Sequence, residues 1–459
     1  MSATHRVVDA LSVHAVGETL LVLSGERPAR VLRKAGLAAA MGVACDGVGV
    51  CEPGLVEALT ARGMLEPTGG RGPTAGRAGP MRAVPADAAE KLVRAAHHAE
   101  AFALEHASRS WGAAVTLPAP PDGLVLPRAG ADWADDPRSL VDPLVGPVLS
   151  LAVHRPIRGE GAPVLAVARY GCPAEPLSEA ALRSVAASGA SAVAADERLA
   201  VVKAVAEAVE RFSAMAPPPR DASRKVPAVR LADGAAVALP VEDAAIVFDA
   251  RARSPGSNGL AAGPTLERAI ESALLELIER DAVAQWWHGA RPPRLAKLPE
   301  GAEALAARGW QVRAFALETE IKVAVRAVEA SHPDHGVALG FGAGGDAGRH
   351  ALGEVWQSVV RRPAAVDRPV PNLAAPRPAD EALPEPVAGE APEPETLPLD
   401  ELVKRVSAAG FSAVAADLTH PAIGVPVARV VVPGLALPGS GVGAERAGGA
   451  RRFSVPFFL

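Results

Sequence analysis

Two distant segments of the chain share one helical pattern. VVKAVAEAVERFSA places Glu207 and Glu210 beside an apolar stripe, and LERAIESALLELIER places Glu276 and Glu279 beside another. An arginine follows the second glutamate in both. Apolar residues that recur every three or four positions indicate amphipathic helices, so the charged groups lie off the buried face. The two stripes are Val202, Val205, Ala208, Val209 and Phe212, and Leu266, Ala269, Ile270, Ala273, Leu274 and Leu277.

The duplication of this pattern favours a binding site over a solvated helix face. A single Glu four residues before an Arg is common on helix surfaces and contributes only about 0.2–0.5 kcal/mol. Two carboxylates one turn apart repel each other unless a cation lies between them, and oxygen ligands suit Mg²⁺. Arg211 and Arg280 would then contact phosphates that the metal bridges. We therefore predict that the two helices face one cleft that binds Mg²⁺ and a nucleotide, although the chain lacks the P-loop pattern.

Two more segments carry polar groups at useful positions. RHALGEVWQSVV predicts a third helix, with Glu354 and Gln357 one turn apart. SNGLAAG precedes the second acidic helix and places Ser257 and Asn258 in a tight turn, where glycine allows close approach of the backbone. Both segments are candidates for the same cleft.

Composition excludes several classes of protein. The formal net charge is −5, whereas a general nucleic-acid binder would carry a basic excess. No apolar run is long and charge-free enough to cross a bilayer, and the first residues lack the order of a secretory signal. Cys45, Cys51 and Cys172 are scattered, which indicates neither a disulfide framework nor a zinc site. We predict a cytoplasmic protein that contacts neither nucleic acid nor membrane.

The chain divides into three predicted regions. Residues 1–80 form a winged-helix-like unit with a strand at 18–25, helices at 29–42 and 52–65, and a linker at 67–80. Residues 81–137 form a helical connector. Residues 138–459 form one mixed α/β, or α+β, domain in which helices alternate with apolar strands. The predicted strands lie at 147–153, 162–170, 244–250, 312–317, 322–328 and 336–342, with two strands at 411–435 around a turn at His420–Pro421; the acid- and proline-rich segment 362–398 is predicted to be a mobile loop.

These motifs resemble those of the YcaO superfamily, in the branch that modifies ribosomally made peptides. The closest match is SNGLAAGPTLERAIESALLELIERDA, which is similar to the family's central motif. VVKAVAEAVERFSA resembles the first ExxER helix, HALGEVWQ the ExxQ helix, ADLTHPAIGVPVARVVVPGL the carboxy-terminal hairpin, and SLVDPLVGPV the opening of the domain. The resemblance covers residues 138–459 in the family's order. The amino-terminal unit is similar to the winged-helix leader-binding element of many members.

The resemblance implies a YcaO-type fold and ATP-dependent activation of a peptide amide. In azoline-forming members, a Cys, Ser or Thr side chain of the substrate attacks the preceding carbonyl, whose oxygen is phosphorylated by ATP and expelled. The positions that match the family's Mg²⁺ ligands are Glu207, Glu210, Glu276 and Glu279. The positions that match its ATP site are these four together with Arg211, Arg280, Glu354, Gln357, Ser257 and Asn258.

Several positions depart from the family pattern. Lys203 replaces a Ser, Arg268 replaces an acid, His350 and Val359 replace arginines, and Pro264 replaces an Asn. Ala192–Ala194 stands in place of a GKG turn, and RRFSVPFFL differs from the proline-rich tail of azoline formers. These changes remove phosphate-binding cations or metal ligands. Lys203 and Arg268 add positive charge in the same region, which would either replace a Mg²⁺ or compensate for the lost arginines.

Three functions fit these observations. The first is a cyclodehydratase that forms thiazoline or oxazoline rings in a precursor peptide, with the amino-terminal unit docking the leader or a ThiF-like partner. The second is a degenerate YcaO homologue that acts as a scaffold or regulatory partner. The third is a YcaO enzyme that forms thioamides or amidines. Members of the family often form homodimers, so the resemblance allows a homodimer without fixing the oligomeric state.

Overall fold

The computed structural model of this chain describes short strands of the amino-terminal region and most of the residues from 133 to 437. The described ranges are 4–7, 11–16, 19–24, 27–33, 65–68, 133–141, 147–159, 162–170, 189–216, 225–247, 256–288, 291–368, 386–387, 391, 393–420 and 423–437. Predictions for Cys172, for the helix at 52–64 and for the connector at 81–132 fall outside these ranges. So does the carboxy-terminal segment 438–459.

The described residues of the amino-terminal region form five strands. β2, β3 and β4 form an antiparallel meander, and β1 pairs antiparallel with β5. β3 confirms the strand predicted at 18–25. The predicted helix at 29–42 is wrong for its first residues, because the chain returns only two residues after β3 and pairs with it as β4. The bounds are β1 Thr4–Val7, β2 Leu11–Val16, β3 Thr19–Ser24, β4 Arg27–Arg33 and β5 Leu65–Thr68.

The first layer of the main body is a three-stranded antiparallel sheet with one long helix against it. Strands β6, β7 and β8 lie in sequence order, and helix α1 packs across all three. β6 and β7 confirm the strands predicted at 147–153 and 162–170. The bounds are β6 Val148–His154, β7 Val164–Tyr170, β8 Gly189–Ala194 and α1 Glu197–Ala214.

A five-stranded sheet forms the second layer, with the order β11–β10–β18–β19–β13. β18 and β19 are antiparallel neighbours, which confirms the two strands predicted around His420. Within the described part of the segment predicted as a strand at 244–250, residues 246–247 form the short β12, which pairs in parallel with β9. The bounds are β9 Met215–Ala216, β10 Lys225–Arg230, β11 Ala236–Pro240, α2 Val241–Ala244, β12 Ile246–Val247, β13 Leu260–Ala262, β18 Val414–Asp417 and β19 Val427–Val431.

The third layer is a four-stranded antiparallel sheet with the order β14–β15–β16–β17. Its last three strands confirm those predicted at 312–317, 322–328 and 336–342. Helix α5 packs closely on β17 and β16, and helix α3 packs on the opposite side against β15, β16 and β17. The bounds are α3 Leu266–Trp287, β14 Arg294–Leu295, α4 Glu303–Ala306, β15 Gln311–Leu317, β16 Val325–His332, β17 Gly336–Ala343, α5 Ala347–Val360 and α6 Leu399–Ala408.

Each of the three long helices lies between two sheets. α1 contacts the three-stranded sheet and strands β13 and β19 of the five-stranded sheet. α3 contacts β19 and β13 on one side and β17 on the other, while α5 contacts β17, β16 and β8. These helices carry the two ExxER patterns and the ExxQ pattern. The packing therefore places all three motifs around one centre, with their apolar faces held by the surrounding sheets.

The ends of the segment predicted as a mobile loop pack against the main body. Asp367 Oδ2 accepts a hydrogen bond of 2.7 Å from the backbone N–H of Arg158, and Leu397 is buried in the core around α3. Residues 369–385 fall outside the described ranges, so the prediction of mobility stays untested there. In the described part of the chain, no helix is both long and apolar enough to cross a membrane.

Close packing of α5 on β17 depends on glycine. A Cβ atom at Gly340 would lie 2.1 Å from the carbonyl oxygen of Ala351, whereas a Cβ at Gly353 would meet only Val193, at 3.9 Å. We expect Gly340→Ala to lower the free energy of unfolding by about 1–3 kcal/mol, because the helix must move. Gly353→Ala should raise it by about 1 kcal/mol through helix propensity. Urea unfolding measures both, and equal effects would contradict the described contact.

Candidate functional site

α1 presents an arginine between two glutamates. Its apolar stripe is buried, which turns Glu207, Glu210 and Arg211 toward the centre of the three helices. Arg211 Nη2 lies 3.4 Å from Glu207 Oε1, and Arg211 Nε lies 3.6 Å from Glu210 Oε1. The guanidinium therefore offsets part of the repulsion between the two carboxylates.

α3 repeats this arrangement. Thr265 caps the helix by accepting a hydrogen bond from Arg268 N, and the helix ends at Trp287. Arg280 Nη2 lies 3.4 Å from Glu276 Oε1, and Arg280 Nε lies 3.7 Å from Glu279 Oε1. The sequence duplication is thus also a duplication of geometry, because an acid–arginine–acid unit projects from each helix.

The turn before α3 holds one of these acids. The backbone N–H of Gly259 donates a hydrogen bond of 2.9 Å to Glu276 Oε2. Gly259 has φ +76°, and a Cβ there would lie 2.4 Å from the carbonyl oxygen of Val430, so only glycine fits. Ser257 and Asn258 directly precede it, and the Ser257 carbonyl accepts from Leu260 N at 3.0 Å. The predicted loop residues therefore lie beside Glu276.

α5 contributes the third set of polar groups. Glu354 Oε2 accepts a hydrogen bond of 2.8 Å from the backbone N–H of Phe341. Gln357 Nε2 donates to the backbone oxygen and the hydroxyl of Ser191 on β8, at 2.7 and 2.8 Å. The donor side of this amide is therefore committed to the sheet, which leaves its carbonyl oxygen as the acceptor that the helix can offer.

Electrostatic effects place the acids of all three helices in one cluster. Burial raises the pKa of Glu210 to about 8; Arg211 opposes the rise, and Glu276 and Glu207 add to it. Burial also raises the pKa of Glu279 to about 8; Arg280 opposes this, and Glu354 adds to it.

The third helix is linked to the same acids. Burial raises the pKa of Glu354, and Glu276 and Glu207 contribute to the rise. Each acidic helix therefore acts on the carboxylates of the other two. The structure brings together the acidic residues that the sequence analysis identified. Their roles in ligand binding stay a prediction.

The donors and acceptors of this cluster fit a ligand that carries a divalent cation and phosphate oxygens. Among the described residues, Glu279 Oε1 and Arg361 Nε are buried and have no hydrogen-bond partner. A hard cation would satisfy the carboxylate oxygen, and an anionic oxygen would satisfy the guanidinium. As the side chains stand, no group of three or more His, Cys, Asp or Glu in the described ranges is arranged to hold a metal ion. The carboxylates instead face their arginines.

Sequence reasoning missed three residues of this region. Arg361, at the end of α5, donates from Nη2 to the Ser191 hydroxyl at 2.9 Å and lies in the field of Glu207 and Glu354. It brings a guanidinium toward these acids from α5, whereas Val359 is buried in the hydrophobic core. Arg429 of β19 is fully buried, and its nearest titratable neighbours include Glu276. Two sequence patterns could have identified these arginines. Arg361 follows Gln357 by four residues, and Arg429 is a single charge within an apolar strand.

The two added cations behave differently from each other. Burial and Arg349 lower the pKa of Lys203, whereas Asp346 and Glu354 oppose this, which places Lys203 at the edge of the acidic cluster. Arg268 instead binds Glu271 through contacts of 2.8 and 2.6 Å. It lies eight residues before Glu276, about 12 Å along the helix. Arg268 therefore adds no unpaired charge at the site, which corrects that part of the expectation.

Two tryptophans and two histidines of the main body have structural roles. Trp286 and Trp287 are buried, with ring centroids 5.8 Å apart, and His288 follows as the cap residue of α3. His420 is fully buried at the turn between β18 and β19.

Comparison with known proteins supports the family suggested by the motifs. A family model described as YcaO cyclodehydratase, ATP- and Mg²⁺-binding, matches residues 217–436, slightly under half of the chain. No curated protein matches the sequence. The matched model thus describes the ATP- and Mg²⁺-binding domain that the acidic helices predicted.

Solved structures share the fold. One is a heterocyclase in complex with substrate and cofactor, with a TM-score of 0.53, 20% identity and coverage of 73% of this chain and 55% of the heterocyclase. Another is YcaO from Methanopyrus kandleri bound with AMPPCP and Mg²⁺, with a TM-score of 0.50, 23% identity and coverage of 67% of this chain and 90% of the other. The chain spans about half the length of that heterocyclase. Residues 217–436 thus match the YcaO family model, and the described chain shares the fold of these two solved structures.

Proposed function

We propose that this protein is an ATP- and Mg²⁺-dependent enzyme that activates backbone amides of a ribosomally made precursor peptide and forms thiazoline or oxazoline rings. The observation that supports this most is the pair of acid–arginine–acid units on α1 and α3, which share one buried cluster with Glu354. Without a cation, Glu210 and Glu279 hold protons at neutral pH, whereas a bound divalent cation would let both ionise.

Each group in the cluster has a proposed role. Mg²⁺ would be held by Glu207, Glu210, Glu276 and Glu279. Arg211, Arg280, Glu354, Gln357, Ser257 and Asn258 would contact the nucleotide. When bound, ATP supplies the phosphoryl group for the amide oxygen, and Mg²⁺ neutralises phosphate charge. The solved YcaO from Methanopyrus kandleri, bound with AMPPCP and Mg²⁺, has the same fold and supports this assignment.

The arginines of the proposed site lie beside its acids. Arg211 and Arg280 lie 3.4–3.7 Å from the carboxylates of their own helices, so these carboxylates would turn from the arginines to hold Mg²⁺ and the guanidinium groups would then meet an anion. Gln357 is fixed by Ser191 and offers an acceptor. Preorganised charges of this kind suit phosphoryl transfer, in which the protein mainly positions groups and stabilises developing charge.

The proposed substrate is a peptide whose Cys, Ser or Thr side chain attacks the preceding carbonyl. The amide oxygen leaves as phosphate, so the ring forms with net loss of one water. The amino-terminal unit at 1–80 would dock the leader peptide or a ThiF-like partner, and the enzyme would act as a homodimer in the cytoplasm. The heterocyclase of similar fold, in complex with substrate and cofactor, favours azoline formation over the thioamide and amidine alternatives.

The second candidate function is a scaffold that no longer turns over ATP. Two observations favour it: Ala192–Ala194 lies within β8, where the family has a GKG turn, and Lys203 lies near Glu354, where it competes with a divalent cation. Arg361 favours the enzyme instead, because it adds a cation in the field of Glu207 and Glu354.

Substitution of one acid on each helix tests the site. We expect Glu207→Gln and Glu276→Gln each to weaken binding of Mg²⁺–AMPPCP at least about tenfold, because each removes one charged ligand of the metal. Glu267→Gln, an exposed acid in the first turn of α3, should leave affinity unchanged. Calorimetry measures binding. Wild-type affinity in both site variants would refute the assignment.

The chemical outcome separates the remaining alternatives. With a candidate precursor, ATP and Mg²⁺, we expect mass spectrometry to detect loss of one water per modified Cys, Ser or Thr. Replacement of oxygen by sulfur would instead indicate a thioamide former. Nucleotide binding without phosphate release or any mass change would favour the scaffold.

The buried acids also predict how stability depends on pH. Unfolded glutamates have a pKa near 4.5, whereas folded Glu210 and Glu279 have a pKa of about 8. Between these values the folded state holds protons that the unfolded state has released, so stability is highest at acid pH and falls as pH rises toward 8. Thermal unfolding from pH 5 to 8 should show this fall.

Two comparisons identify the source of this pH effect. Glu210→Gln and Glu279→Gln should each reduce the fall, since an amide does not ionise, and Mg²⁺ should reduce it in the wild-type protein. Glu267→Gln is the matched control and should retain the full fall. A wild-type stability that is flat over this range would show that these acids are ionised without a ligand.

A further inference from the structure

One arginine connects the loop of the site to the centre of the five-stranded sheet. Arg429 is the middle residue of β19, opposite Leu260 of β13 and Ala416 of β18, and it is fully buried. Its neighbours in the strand are alanine and valine. A charge in such a position is costly unless its donors are satisfied, so its partners indicate why it is there.

All three nitrogens of this guanidinium donate to backbone carbonyls. Nε donates to Ala244 at the end of α2 at 3.1 Å, and Nη2 donates to Gly256 at 2.7 Å. Nη1 donates to the carbonyl of Asn258. The arginine thus joins the end of α2 and both ends of the turn 256–258 to one strand. Because its acceptors are neutral, its positive charge is not cancelled by a direct ion pair with them.

The neighbouring residue in the strand completes this connection. The backbone N–H of Val430 donates to the carbonyl of Gly259 at 2.7 Å, and Gly259 N–H in turn donates to Glu276. The chain of contacts therefore runs from β19 through the turn to a carboxylate of the acidic cluster. Two adjacent strand residues fix the turn, one through its side chain and one through its backbone.

The charge of Arg429 also faces the acidic cluster. The titratable and charged groups that act on it are Glu276 on α3, Glu210 and Arg211 on α1, and Asp243 on α2. Burial lowers the pKa of Arg429 to about 10, while Glu276 and Glu210 oppose that change. The guanidinium therefore remains charged at neutral pH beside carboxylates from both acidic helices.

We propose that Arg429 is a positioning residue of the nucleotide site. It holds the turn 256–259 in the form in which Gly259 N–H fixes Glu276, and it places a buried positive charge behind the carboxylates. This inference rests on the proposed function and adds a residue to which no ligand contact is assigned. Lysine cannot replace it, because one ammonium group cannot reach three carbonyls in this planar arrangement.

The test is a double-mutant cycle between Arg429 and Glu276. We expect Arg429→Lys to weaken binding of Mg²⁺–AMPPCP roughly tenfold in the folded protein. In the Glu276→Gln background the same change should cost much less, about twofold, because the group on which the turn acts has lost its charge. If Arg429 only supports the fold, Arg429→Lys should weaken binding by the same factor with and without Glu276→Gln.

Arg308 supplies a matched control. Its guanidinium also joins two segments through backbone carbonyls, those of Ala304 at 2.6 Å and Arg158 at 3.0 Å. Arg308→Lys should leave affinity unchanged in both backgrounds. If Arg429→Lys does not fold, Arg429→Met serves instead, because it removes the buried charge together with its need for partners.

The outcomes distinguish this proposal from the proposed function. If the wild-type protein does not bind Mg²⁺–AMPPCP, the nucleotide site is wrong and the role of Arg429 in it fails as well. If the wild-type protein binds but the Arg429 variants bind equally well, or combine independently with Glu276→Gln, only the Arg429 proposal is overturned. If the Arg429 variants are coupled to Glu276→Gln in binding affinity and Arg308→Lys is not, the Arg429 proposal is supported.

Discussion

Repulsion between buried carboxylates is the constraint on which this site depends. Burial and mutual repulsion act together on Glu210 and Glu279 and raise both pKa values to about 8, although each has an arginine beside it. At neutral pH these two acids therefore hold protons. When they ionise, one guanidinium faces two carboxylates in each unit, and further positive charge is needed. A divalent cation would supply that charge in place of the protons, which is the role that the proposed function gives to Mg²⁺.

The fold supports this strained charge distribution by making the helices rigid. α1, α3 and α5 each lie between two sheets, so rotation that would separate the acids would also expose apolar residues on both sides. Contacts at Gly340 and Gly259 are close enough to exclude even a methyl group. Hydrophobic packing therefore offsets the free energy lost when the acidic cluster is buried. The positions of the motifs follow from that packing.

The sequence predicted the parts of this structure that local patterns encode. The repeated stripe identified α1 and α3, and the acids off the stripe proved to share a cluster. Ser191, Arg361 and Arg429 were missed because their importance arises from the pairing of distant elements, as when β8 meets the end of α5. The strand at Arg27–Arg33 was missed for a related reason. Its residues have a helical pattern, but they pair with the preceding strand.

The departures from the family pattern are better understood through charge than through residue identity. Lys203 lies at the edge of the cluster, near Glu354. Arg361 lies at the end of α5 in the field of the acids, and its position matches none of the family motifs found in this sequence. Arg268 is neutralised by Glu271 at a distance from the acids. Lys203 and Arg361 therefore place positive charge near the acids of the cluster, and Arg268 does not. This distribution of charge agrees with the proposed binding of an anionic ligand.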